Sequence, residues 1–127
     1  MSEVPDELLY TEEHLWVAWT DDAATVGLTD YAQQELGDMV FVELPALDEV
    51  VARLDVFGTI EAVKAVSELF SPIGGVVLAV NPRLAKEPEL INSDPYGEGW
   101  LMRLRPKSIA ERDELLGSAE YREHTGD

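Results

Sequence analysis

Apolar and polar positions alternate along this chain in short bursts broken by glycine and proline, a pattern that predicts many short strands with a helix near each end. Trp16–Trp19 and Thr25–Leu28 flank the acidic turn Asp21-Asp22-Ala23 and read as a first hairpin. Thr29 or Asp30 can then cap a helix over 29–36 whose Tyr31, Ala32 and Leu36 share a face, with Gly37 to stop it. In the next segment, Met39 to Leu44, the alternation predicts a strand buried through Val40, Val42 and Leu44, closed by Pro45. Residues 55–62 and 66–70 form the arms of a second hairpin, Gly75–Val80 another strand, and Trp100–Arg105 a last one ended by Pro106. From Ser108 onward, Ile109, Leu115 and Leu116 fall near one face of a helix over 107–116 that would pack on the sheets, with Gly117 after it. A second short helix through Tyr121 follows, and the tail is expected to fray.

Close strand spacing with proline and glycine turns argues for a mainly β fold of two antiparallel sheets with short helices, rather than a parallel α/β sheet. The stretches 37–45 and 99–106, both strands closed by proline, hint at two similar halves around the second hairpin. A chain of 127 residues, 46% hydrophobic, suits a single domain with its own core. Roughly eight residues at each end are expected to be loose.

Charge narrows the partners. With 26 acidic against 9 basic residues, the formal net charge is −17, so nucleic acid and anionic membranes would be repelled. The acidity fits solubility, adaptation to high salt, or steering onto basic partner surfaces. No basic, apolar leader opens the sequence, and no apolar run approaches the length of a membrane span, so the expectation is a cytoplasmic protein. The absence of cysteine excludes disulfides and thiol catalysis from the chain itself.

Little classical chemistry remains. The two histidines, His14 and His124, have no spacing that suits a triad or a metal site, and His14 reads as a structural or partner-contacting residue. Neither catalytic nor metal-ligating residues are expected. Lys64 stands out instead, as one of only three lysines and at the tip of the second hairpin. A lysine at a strand end often serves only to block edge pairing. Here Val63 and Ala65 cannot neutralise the ammonium, and a rigid tip lets a modifying enzyme reach the amine without unfolding the sheet.

The surrounding blocks sharpen this reading. Tyr10 to Val17, Val26 to Pro45, Val80 to Leu84 and Pro88 to Trp100 together resemble, in order, the glycine cleavage system H protein family, relatives of the lipoyl domains. The resemblance covers about Tyr10 to Leu116 and implies a lipoyl-domain-like barrel-sandwich hybrid, with lipoate attached to Lys64. It puts Glu61 and Gly75 at positions linked to recognition by the lipoylating enzyme, a lipoate ligase or lipoyl transferase. The chain departs from the family pattern at Ala62, usually serine, and at Leu15, usually glutamate. Biotin carriers flank their lysine with methionines, which Val63 and Ala65 do not match.

The role implied is that of a non-catalytic, monomeric carrier. Its lipoate would take an aminomethyl group from glycine decarboxylase (P protein), present it to the aminomethyltransferase (T protein), and be reoxidised by dihydrolipoyl dehydrogenase (L protein). With no internal cysteine, no protein thiol can trap the arm as a mixed disulfide. H-like carriers that serve heterodisulfide-reductase-like complexes in sulfur oxidation share the pattern and stand as an alternative. A non-lipoylated structural or regulatory adaptor is a further one.

Overall fold

A computed structural model describes residues 2–20 and 22–126, so Asp21 of the expected first turn lies outside the described residues. Nine strands form: β1 (Leu9–Tyr10), β2 (Leu15–Trp19), β3 (Ala24–Leu28), β4 (Met39–Glu43), β5 (Val50–Val51), β6 (Val56–Ala62), β7 (Val66–Phe70), β8 (Gly75–Val80) and β9 (Met102–Pro106). Three α-helices accompany them: α1 (Asp30–Leu36), α2 (Leu90–Ser93) and α3 (Ser118–Thr125). The strands build a six-stranded sheet in the order β1-β2-β3-β9-β8-β5 and a three-stranded sheet β4-β6-β7, every pairing antiparallel. The two-sheet β architecture is as expected.

The main core fills with Leu15, Val17, Val26, Ile60, Leu69, Ile73, Met102 and Leu104, all essentially inaccessible. Successive residues of a strand face opposite ways. Trp16 therefore points to the other side of the large sheet, into a second cluster with Val4, Tyr10 and Tyr121. The rings of Tyr10 and Tyr121 stack there at 4.8 Å. No helix among the described residues is long and apolar enough to cross a membrane.

Two expectations need correction. In β4 the buried residues are Met39 and Val42, not Val40, Val42 and Leu44 as a set; Val40 and Phe41 are each 55% exposed and Leu44 is half-buried. The cause is a register shift between Met39 and Phe41 against β6, which inserts one extra residue and turns two consecutive side chains outward.

The helix expected over 107–116 is a 3-10 segment, Ile109–Glu114, with no buried residue and Ile109 fully 70% exposed. It stops because Leu116 exchanges both backbone hydrogen bonds with Tyr10, at 2.8 and 2.7 Å, and a residue bridging a sheet edge must be extended.

The tail forms a packed helix. Gly117 N–H donates to Glu120 Oε1 at 3.0 Å to open α3, and Tyr121 on that helix is completely buried. The Arg122 guanidinium donates to the Val4 carbonyl at 3.2 Å, which joins the two ends of the chain.

Candidate functional site

The β6–β7 hairpin pairs Glu61 with Val66, and Ala62 N–H donates to the Ala65 carbonyl at 2.8 Å, leaving Val63 and Lys64 as a two-residue loop. β-Branched residues in both arms favour the pairing. Two-residue hairpins usually need left-handed loop residues. Among the described non-glycine residues, however, only His14, Asp48 and Leu54 have positive φ. The tip is braced from outside instead: Val63 N–H donates to the Asp38 carbonyl at 2.9 Å.

The brace has a base. Gly37 ends α1 at φ 82°, and a Cβ placed on it would lie 3.4 Å from Lys64 Cγ, Cδ and Cε, so the lysine stem rests on bare glycine backbone. Asn92 on α2 fixes this corner. Its Nδ2 donates to Gly37 O at 3.0 Å and to Gln33 Oε1 at 2.9 Å, and its Oδ1 accepts from Met39 N–H at 2.9 Å. Lys64 is exposed and has no hydrogen-bond or ion-pair partner among the described residues. The result is a supported aliphatic stem carrying a free amine.

Glu61 shares this sheet. It is exposed on β6, three residues before Lys64, with Phe41 and Val66 as its cross-strand neighbours. Ala62, where the family has serine, is buried opposite Met39. Gly75 is not brought to the tip: it opens β8 in the six-stranded sheet, buried between Val51 and Pro106. A Cβ there would stand 2.4 Å from the Arg105 carbonyl oxygen, a backbone atom that cannot step aside. Gly75→Ala is therefore expected to lower stability by about 1–3 kcal/mol, seen as a drop in the thermal midpoint by circular dichroism. An unchanged midpoint would show that the strands absorb the methyl group.

Beside the hairpin lies a cleft of about 240 Å³, lined among others by Glu13, His14, Tyr31, Glu35 and Glu68. Its floor includes Leu15, the position where the family has glutamate. Sequence spacing kept the two histidines apart, but α3 brings their rings to 5.5 Å. His14 Nδ1 lies 2.8 Å from the Tyr121 hydroxyl, which is also 2.8 Å from Thr29 Oγ1, the oxygen that caps α1. His124 Nε2 meets the Glu12 carbonyl at 3.0 Å. His14 is thus tied to α3 and, through Tyr121, to the cap of α1.

Burial, then the neighbouring His124, push the His14 pKa below its ordinary 6.5, with Glu35 opposing. The fold favours the neutral ring. The unfolded chain consequently takes up the proton first on acidification, and the stability that His14 contributes above pH 6.5 is lost as the pH falls through the lower folded value. The thermal midpoint should fall as the pH drops below 6.5, and less steeply in His14→Asn, asparagine being tolerant of left-handed backbone. Equal slopes in the two proteins would contradict this origin. Among the described residues, no group of three or more His, Asp or Glu is placed to hold a metal ion.

Two antiparallel sheets with a lysine on a braced hairpin tip make a lipoyl-domain-like fold. The family model described as "Glycine cleavage H-protein" matches residues 8–127. The glycine cleavage system H protein of Rubrobacter xylanophilus is 54% identical over 121 residues, 95% of this chain and 94% of that protein. That of Salinibacter ruber is 47% identical over 123 residues, covering 97% and 99%. The crystal structure of a glycine cleavage system H protein from Mycobacterium marinum superposes with a TM-score of 0.91 at 35% identity, covering 98% of this chain and all of that one. The chain belongs to the glycine cleavage H-protein family.

Proposed function

We propose that Lys64 carries lipoate as an amide on Nζ and that the protein is the non-catalytic, monomeric carrier of the glycine cleavage system. The supporting observation is the tip itself, where the stem is braced on Gly37 and the amine has no protein partner. A modifying enzyme needs such an amine, and the corner built on Asn92 holds it in place without using it. When bound, the lipoyl group supplies a disulfide that can be reduced and reoxidised and a thiol that carries the aminomethyl unit.

The chain's own contribution is presentation. The hairpin projects the attachment point, and the cleft offers the carboxylates of Glu13, Glu35 and Glu68, whose field favours a cationic guest. Glu61, on the attachment strand, is the group that a lipoate ligase or lipoyl transferase can read directly. Gly75 acts by allowing β8 and β9 to approach closely. Partners in turn are glycine decarboxylase, the aminomethyltransferase and dihydrolipoyl dehydrogenase.

The test is reconstitution. Protein produced with a lipoate ligase and lipoate should gain the mass of one lipoyl group, and the modified form should support glycine-dependent methylene transfer with decarboxylase, aminomethyltransferase and tetrahydrofolate. Lipoylated protein that supports no methylene transfer would refute the pathway.

A further inference from the structure

We infer that the outer face of β4, at its bulge, is the docking surface for the enzyme that acylates Lys64; the inference rests on Lys64 being the attachment lysine. The bulge lies between the pairs Met39–Ala62 and Phe41–Glu61, directly opposite the last two residues of β6 before the loop. It turns both Val40 and Phe41 to solvent; Val66, in the row of Phe41, is 68% exposed, and the loop residue Val63 beside Lys64 is 72% exposed. Single exposed apolar residues are ordinary. Four at the end of the sheet that carries Lys64, two of them displayed by a bulge where plain alternation would have buried Val40, mark an interaction site.

Register gives the patch its polar frame. Phe41, Glu61 and Val66 form one cross-strand row, and Glu43, Thr59 and Glu68 form the next on the same face. The complementary surface is an apolar pocket for Phe41 with basic groups placed for the three carboxylates.

Distance decides which enzyme that is. To acylate Lys64, the neutral amine attacks the carbonyl carbon of an activated lipoyl group such as the mixed anhydride of an acyl adenylate. The N–C amide bond forms, the acyl–oxygen bond breaks, the nucleotide phosphate leaves, and the amine proton passes to a base. This enzyme must bring its reacting carbon into bonding contact with Nζ, so it covers whatever surrounds the lysine. Enzymes of the cleavage cycle act at the far end of the arm and can work without touching β4.

The experiment measures ligase kinetics with lipoate, ATP and the unmodified protein as substrate. Phe41→Ser, alone and with Val40→Ser, should raise KM for the protein by about tenfold or more with kcat little changed. The control Ile109→Ser, which alters an apolar residue even more exposed than Phe41, should match wild type. Driven to full lipoylation, the β4 variants should turn over in the cleavage cycle at the wild-type rate. Thermal midpoints check that the variants are folded. Unchanged KM in the double variant, with Lys64 lipoylated, would overturn the docking surface alone. Equal losses in the cleavage cycle would assign the patch to the cycle enzymes instead. Wild-type protein modified elsewhere than at Lys64 would remove the attachment reading and the docking surface with it.

Discussion

Lys64→Arg is expected to yield a folded protein that gains no lipoyl group and supports no glycine cleavage. Arginine keeps the charge and much of the stem that rests on Gly37, and the site is exposed without partners, so stability should change by no more than about 0.5 kcal/mol. What is lost is the nucleophile, since a guanidinium stays protonated at any working pH and offers no free amine. Intact mass after incubation with ligase, ATP and lipoate reads the first effect. Methylene transfer in the reconstituted system, expected at the level seen with no carrier added, reads the second. The chain has two other lysines, Lys86 and Lys107, and both are exposed. Exposure alone therefore does not select Lys64; its place on a hairpin tip does, and a lipoyl gain in Lys64→Arg would move the attachment to one of the other two.

Asn92→Ala should have the second largest effect, on stability and on the tip together. One side chain satisfies the Gly37 carbonyl, the Met39 amide and the Gln33 amide oxygen, and its loss strands two backbone groups in a part-buried corner. Leaving such groups unpaired costs about 1–3 kcal/mol each, so a total of about 2–6 kcal/mol is expected from urea unfolding. The same corner supports Asp38, whose carbonyl holds the Val63 amide, and Gly37, on which the Lys64 stem lies. Lipoylation of Asn92→Ala should accordingly slow under conditions where the variant remains folded. A fall in stability with an unchanged lipoylation rate would show that the hairpin sets its own tip without the brace.

Much of the candidate site was legible in the chain. The Lys64 hairpin could be read because both arms are β-rich and the turn between them is short, and α1 because Thr29 and Gly37 are local signals that act within one helix. The Asn92 corner could not be read, because nothing near residue 92 states that its amide will face residues 33, 37 and 39. Likewise, His14 and Tyr121 are 107 residues apart, and their contact exists only once α3 packs.

Sequence by itself determined the family, the two-sheet β class, and the lysine that stands alone on a tip. These are set by strand alternation, turn residues and ordered motifs, which act over a few residues at a time. Tertiary structure alone decided which face of β4 is buried, where the C-terminal helix begins, and what steadies the lysine. Each depends on pairing between distant segments: the β4 bulge on register with β6, the break at Leu116 on hydrogen bonds to Tyr10, and the Lys64 support on Asn92. A local pattern records which residues prefer burial. Only the assembled sheets fix which of them find a partner to be buried against.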